Sequence, residues 1–374
     1  MARSGLSRGE RVRYAVVGLG HIDQVAVLPA FRHARENSEL VALVSDDQEK
    51  LEKLGEQYDV AQCVAYDQYE HLLASGDIDA VYIGLPNHLH RYATETAARH
   101  GVHVLCEKPI AASSEDARAM IATCEEHGVR LMVAYRLHFE AANLEAVRLA
   151  TSRIGDPRLF TSTFGFTLQD RDNIRGRAES GGGALLDIGV YCINAARYLF
   201  RDEPIEAFAV QARSGLHVVH DDVDETVAAT LRFPGDRLAQ FTISFAVAPV
   251  ASYTLVGTSG TVRLDPAYEY AEPIELTAVI DDRETARTYP KRDQFAPELV
   301  HFSTCVIEGR DPGPSGREGL ADVIVVEALK RSIAEGRPVA VRVDGAGERP
   351  TPAQAMSKPP VREPEPVNSE SPSG

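Results

Sequence analysis

The segment 12–20, Val-Arg-Tyr-Ala-Val-Val-Gly-Leu-Gly, constrains this chain more than any other. Its first six residues are rich in valine and alternate little, as in a strand covered on both faces. Gly18 and Gly20 follow at once, and a helical pattern runs on over 21–36 despite Pro29. A buried strand that turns through two glycines into a helix is the opening of a doubly wound sheet.

The next hundred residues repeat the theme. Strand-like runs fall at 40–47, 80–86, 103–109 and 129–135. Helical patterns separate them at 48–58, 90–101 and 113–128, the last opening on a Ser cap and two of them stopping at Gly101 and Gly128. This alternation predicts an N-terminal domain over 1–135 built on a parallel sheet. After that the pattern changes. A helix is expected at 139–152, then strands at 158–167, 205–213, 223–233, 238–248, 252–265 and 272–280. Short turns such as 233–236 and 258–260 join them, so this sheet is open and mainly antiparallel. Helices at 184–200, 296–308 and 317–335 complete an α+β domain over 136–344. A Pro-, Glu- and Ser-rich tail, 345–374, reads as disordered or as an arm laid across a partner subunit.

At 374 residues, two domains are the default. The net charge of −16 argues against nucleic acid and anionic membranes as partners. No apolar run approaches the roughly 20 residues that span a bilayer. The start of the chain lacks the apolar stretch of a secretory signal, so a cytoplasmic protein is expected. Five scattered cysteines without CxxC spacing point to reduced thiols and no metal site.

The glycine turn predicts a dinucleotide site, with Gly18, Gly20, His21 and Ile22 around the pyrophosphate. The third glycine of the usual pattern is replaced by Asp23, whose carboxylate sits poorly beside a phosphate and is expected to turn away or cap the helix. Beyond the second strand, Asp46 favours a free ribose 2′-hydroxyl, hence NAD. Ser45 and Lys50 suit a 2′-phosphate, hence NADP. Pro86, Asn87, His88 and His90 follow the third strand at its carboxyl end, the edge where such sheets bind ligands. Glu107-Lys108-Pro109 ends the next core strand at the same edge.

Asp187 and Tyr191 are four residues apart and share a face if 184–200 is helical. Gly181–Gly183 before them permit close approach of a ligand. A lysine and a held carboxylate beside a tyrosine hydroxyl suit proton transfer at a hydroxyl or carbonyl. Arg171, Asp172, Asn173 and Arg175 form either a substrate loop or a solvated stretch. His217, His220, Asp221 and Asp222 read as loop residues in preference to a metal cluster.

Taken together, the glycine turn, Pro86-Asn87, Glu107-Lys108-Pro109 and Asp187-x-x-x-Tyr191 resemble the Gfo/Idh/MocA oxidoreductase family over residues 10–340. Tyrosine at the last position, with 135–140 and 293–299, resembles its glucose–fructose oxidoreductase branch. The resemblance implies a Rossmann domain and a catalytic trio of Lys108, Asp187 and Tyr191. It places Tyr135 and Arg136 beside a sugar, with Arg136 and Glu107 also at the cofactor. It matches Ser45 and Lys50 to positions that hold a 2′-phosphate, so NADP(H) is expected ahead of NAD(H). It further implies a homodimer or homotetramer. The expected activity is hydride transfer between the nicotinamide and a sugar or polyol. Rival expectations are a trans-dihydrodiol or inositol dehydrogenase, a sugar–sugar oxidoreductase that retains its cofactor, and a non-catalytic dinucleotide sensor.

Overall fold

A computed structural model describes residues 9–343 and 349–373. Six parallel strands form the first sheet: β1 (Val12–Val17), β2 (Ser38–Val44), β3 (Gln62–Val64), β4 (Ala80–Ile83), β5 (His103–Glu107) and β6 (Leu131–Ala134). Their order, β3-β2-β1-β4-β5-β6, places the crossover between β1 and β4 at the glycine turn. This is the doubly wound arrangement, and its switch point is where such sheets bind ligands. The two faces bury separate apolar clusters, one around Val17, Val81 and Val104, the other around Tyr14, Val16 and Leu43.

The segment after the glycine turn departs from expectation. It is wound as a π segment (Asp23–Val27) running into a short helix, α1 (Leu28–Ala30), and then breaks into turns well before residue 36. Pro29 lacks the N–H that would hold the preceding turn, and the wider winding accommodates its ring. Residues beyond it are tied elsewhere, Asn37 donating to Val300 O at 2.9 Å. The remaining helices of this domain are α2 (Gln48–Tyr58), α3 (Tyr69–Ala74), α4 (His90–Arg99) and α5 (Ser114–His127).

Helix α6 (Ala141–Ser152) leads into the second sheet. Its strands are β7 (Pro157–Thr167), β8 (Glu206–Ala212), β9 (Thr226–Phe233), β10 (Arg237–Ser244), β11 (Ala246–Gly257), β12 (Gly260–Asp265), β13 (Ile274–Ile280), β14 (Arg283–Tyr289) and β15 (Val339–Ala340). The order is β14-β13-β12-β11-β7-β10-β9-β8-β15, antiparallel except for β7 beside β10. Expected strand 252–265 divides at the Thr258–Ser259 turn into β11 and β12. Strand β14 was not foreseen: six of its seven residues are exposed at the sheet edge, so no alternation marks it. Helix α7 (Val190–Phe200) covers the inner face, preceded by a second π segment (Leu185–Gly189).

Helices α8 (Ala296–Glu308) and α9 (Gly316–Glu335) return to the first domain. Leu299 and Phe302 of α8 join the cluster of Tyr14 and Val16, and the Tyr14 and Ser303 hydroxyls lie 2.7 Å apart. A buried ionic cluster ties α9 to α7. Arg197 reaches Asp322 at 2.6 Å and Glu318 at 3.1 Å, all three side chains being 0% exposed. Arg349 and Glu203 complete it. Among the described residues no helix is long and apolar enough to cross a membrane.

The segment Arg349–Ser373 lies along the protein's own surface. The Met356 N–H donates to Phe139 O at 3.2 Å and Lys358 pairs with Glu36 at 2.6 Å. The chain then passes over the glycine turn. Positions 345–348 and 374 of the expected tail fall outside the described residues.

Candidate active site

The floor of the site is the glycine turn. Gly18 has φ +97°, and a Cβ there would stand 2.6 Å from Gly84 O at the end of β4. The two loops therefore approach as only glycine allows. Asp23 packs beneath them, its Oδ2 accepting from the Gly20 N–H at 3.0 Å. The expected turning-away is thus a contact back to the glycine turn. Burial, with Glu107 nearby, pushes its carboxyl well above the ordinary aspartate value. A carboxyl shifted in that direction carries less of the charge that would oppose a phosphate. Its Oδ1 and the His21 Nδ1 are buried without a hydrogen-bond partner among the described residues. A cradle of this shape, with unclaimed polar atoms at its floor, fits a dinucleotide.

Lys108 follows β5 directly. Its Nζ donates to Asp187 O at 3.1 Å and Oδ1 at 3.3 Å, and lies 4.9 Å from the Tyr191 ring centroid. Glu107 fixes the turn, one carboxylate oxygen accepting from the Tyr82 hydroxyl at 2.6 Å and the other from the Lys108 N–H at 3.1 Å. Burial opposes the Lys108 charge, but Tyr191, Asp187 and Glu107 outweigh it and raise its pKa above the lysine norm. Burial likewise opposes ionised Asp187, yet Arg175 and Lys108 hold it below the ordinary range. Arg175 Nε donates to Asp187 Oδ2 at 2.9 Å. Asp187 lies in the π segment and Tyr191 in the first turn of α7, and both face one cavity of about 510 Å³.

The Arg136 guanidinium also lies over the Tyr191 ring, 5.4 Å from its centroid. It is held by Gln294 and by the carbonyl of Tyr268. The Tyr191 ring also meets Phe164 at 5.5 Å and Tyr268 at 5.8 Å.

The cavity gathers Gly20, His21, Ile22, Asn87, Glu107, Lys108, Arg136, Asp187 and Tyr191 of the expected residues. Others lie elsewhere. Tyr135, expected beside the substrate, is buried and donates its hydroxyl to Asp322, because consecutive residues after β6 point to opposite sides. His90 is fully buried, Nε2 on Leu85 O at 2.8 Å and Nδ1 on Pro109 O at 3.0 Å; it braces two loops and does not reach the cavity. Gly18 and Pro86 shape the loops without lining it. His88 is exposed outside it. Of the polar stretch, Arg175 enters the cavity, while Asp172 pairs with Arg177 and His220 at the surface. Asn173 caps the turn that carries Arg175. Among the described residues no His, Cys, Asp and Glu group is placed to hold a metal.

Ser45 and Lys50 lie outside the cavity, Ser45 just after β2 and Lys50 in the first turn of α2. The acids around them are engaged. Asp46 accepts from the Tyr66 N–H at 3.1 Å, Asp47 from the Lys50 N–H at 3.1 Å, and Glu49 pairs with Lys53 at 2.7 Å. Lys50 itself forms no salt bridge among the described residues.

Three contributions to the site had no signature in the sequence. Phe164 and Phe166 come from β7, Tyr268–Ala271 from the loop before β13, and Glu363 and Ser371–Ser373 from the final segment. No local pattern marks residues whose role depends on distant packing.

A glycine cradle at the switch point of a doubly wound sheet, facing a lysine, an aspartate and a tyrosine, defines a dinucleotide-binding oxidoreductase. Comparison with known proteins agrees. Residues 12–135 match the model of the oxidoreductase family with an NAD-binding Rossmann fold, and 147–263 match the Gfo/Idh/MocA C-terminal domain. The chain belongs to the Gfo/Idh/MocA oxidoreductase family. It is 30% identical over 329 residues, 87% of this chain and 98% of the relative, to D-xylose 1-dehydrogenase (NADP(+)) 2 of Haloferax volcanii. Among solved structures it resembles the aldose-aldose oxidoreductase of Caulobacter crescentus complexed with glycerol. That match has 37% identity and a TM-score of 0.84, covering 88% of this chain and 100% of the other. A 3-ketoreductase of Actinomadura kijaniata, in complex with NADP and TDP-benzene, matches with 27% identity and a TM-score of 0.78, covering 86% of this chain and 98% of the other.

Proposed function

We propose that this protein is an NADP(H)-dependent oxidoreductase of sugars, of the aldose dehydrogenase or reductase type. The observation that carries the reading is the convergence of Lys108, Asp187 and Tyr191 on one wall of a cavity floored by the glycine turn. The similar D-xylose dehydrogenase and aldose-aldose oxidoreductase supply the substrate class. NADP is favoured because Asp46 is turned onto the Tyr66 N–H while the Lys50 ammonium stays available to a 2′-phosphate.

When bound, the nicotinamide accepts or donates the hydride. The protein's residues do the rest. Lys108 and Tyr191 hold the reacting hydroxyl between them, and the Tyr191 oxygen takes its proton on oxidation and returns it on reduction. The Lys108 ammonium stabilises negative charge developing on the substrate oxygen. Asp187, ionised between Lys108 and Arg175, fixes the ammonium and the loop carrying Arg175. Arg136, braced by Gln294 and main-chain carbonyls, keeps the Tyr191 ring from swinging away. Phe164 and Phe166 exclude water from one side of the cavity.

Outward-facing Leu159, Phe208, Val210 and Leu238 lie on the face of the second sheet that no helix covers, which supports a homo-oligomer built through it. A second reading, a sugar–sugar oxidoreductase that retains its cofactor, is favoured by the likeness to the Caulobacter enzyme. One experiment tests both. The purified protein is mixed with a panel of aldoses, with and without NADP or NAD, and reduced-nicotinamide absorbance is followed. Absorbance that needs added NADP fits the main reading, absorbance without added cofactor the second. Silence with every aldose and either cofactor refutes both.

A further inference from the structure

We propose that the final segment, residues 363–373, is part of the nucleotide site, and that Asn368 sets the preference for NADP over NAD. The inference rests on the reading above that the crevice holds a nicotinamide dinucleotide.

The segment is a strap fastened at both ends of the crevice. Lys291 pairs with Glu363 at 2.7 Å where it begins. Gln24, 1% exposed behind the glycine turn, clasps the main chain of Val367. Its Oε1 accepts from the Val367 N–H at 2.7 Å, and its Nε2 donates to Val367 O at 2.9 Å. The Val367 side chain joins the apolar cluster that Ile22 and Tyr58 also border. On the far side the Gln169 N–H, from the loop after β7, donates to Pro372 O at 3.2 Å. Ser371, Pro372 and Ser373 then line the cavity that Lys108 and Tyr191 line from below.

Between these fastenings sits Asn368, at φ +45°, a conformation that Asn and Asp tolerate better than other side chains. Its amide nitrogen donates to Asp47 Oδ2 at 3.2 Å and to Glu49 Oε2 at 3.0 Å. These are two of the three acids that follow β2, the position where a carboxylate selects for a 2′-hydroxyl and repels a 2′-phosphate. The third, Asp46, is already turned onto the Tyr66 N–H. With Asn368 in place all three have partners, and Ser45 and Lys50 remain to meet the phosphate. The Lys50 N–H already holds Asp47 Oδ1 and Lys53 holds Glu49 Oε1, so Asn368 takes the second oxygen of each acid; without it, those second oxygens are released beside the same position.

The test compares the full chain with Asn368→Asp and with a chain lacking residues 363–374. Aspartate keeps the left-handed turn but replaces the bridging amide by a third carboxylate. NADPH and NADH are titrated against each protein by nicotinamide fluorescence, and the ratio of the two affinities is read. Both variants should lower the preference for NADPH roughly tenfold, chiefly through weaker NADPH binding. Asn368→Asp needs no chain to be removed, so it serves if the shortened chain folds poorly. A ratio within about twofold of the full chain's in Asn368→Asp, with NADPH still bound, overturns the assignment of Asn368. Failure of the full chain to bind either nucleotide overturns the dinucleotide reading itself, and the strap's role with it.

Discussion

Replacing Tyr191 by Phe isolates the group on which the proposed chemistry depends. The ring's neighbours are Lys108 Nζ at 4.9 Å, Arg136 at 5.4 Å, Phe164 at 5.5 Å and Tyr268 at 5.8 Å. The four ring contacts survive in phenylalanine, while the hydrogen bond between the Arg136 guanidinium and the Tyr191 hydroxyl is lost. The loss is one hydroxyl on a half-buried side chain together with its hydrogen bond to a guanidinium, which costs folding roughly 1–3 kcal/mol. The glycine cradle is untouched, so nucleotide affinity should hold. Turnover should not. A positioned proton acceptor contributes about 10²- to 10⁴-fold, or roughly 3–5 kcal/mol of barrier. The assay is the initial rate with a saturating aldose and NADP, alongside NADPH titration and a thermal melt of the same preparation. A large fall in rate with normal affinity and only a modest drop in melting is the expected result. A rate within about tenfold of the parent's, with the same affinity, would refute Tyr191 as the proton acceptor.

Other consequences concern the frame around the site. Arg197→Met leaves buried Asp322 without its cation and Glu318 with Arg349 alone; the protein should lose about 3–5 kcal/mol of stability, read by urea unfolding, and a loss below about 1 kcal/mol contradicts the cluster's role. Burial lowers His301 to about 4. An unfolded chain takes up that proton near pH 6.5 while the native protein does not, so stability should fall as pH drops from 6.5 to 4, by up to about 3 kcal/mol for this residue. Burial lowers His90 and His138 as well, with the same sign. His301→Gln should flatten part of the slope, and superimposable pH–stability curves would rule His301 out as a contributor. Gly18→Ala drives a Cβ to 2.6 Å from Gly84 O in a left-handed turn; the melt should drop by the equivalent of about 1–3 kcal/mol and NADPH binding should weaken, whereas unchanged binding would mean the loops can part freely.

Much of this molecule is written locally. A valine-rich strand, a glycine turn and recurring helix starts and stops declare the doubly wound sheet, because each strand buried on both faces must be apolar along its length. Lys108 is placed at the ligand edge by Pro109 alone, which ends its strand. The spacing of Asp187 and Tyr191 puts them on one wall even though the backbone there is wound as π and not as α. Strand β11 is less legible: Pro249 interrupts it, at a register shift against β7 between Ala246 and Val250, where the missing N–H is tolerated.

What the sequence by itself determined is the class of fold and the wall of the site that carries the lysine, aspartate and tyrosine. These follow from period, punctuation and spacing within single segments. Tertiary structure alone decided which neighbours face that wall. It sends Arg136 into the cavity and Tyr135 into the buried cluster around Asp322. It turns Asp46 onto Tyr66, and it carries Tyr268 and Ser371 across the chain to the same space. The direction of a side chain at a strand end, and the meeting of segments hundreds of residues apart, are set by how whole layers pack, and no short stretch of sequence encodes that.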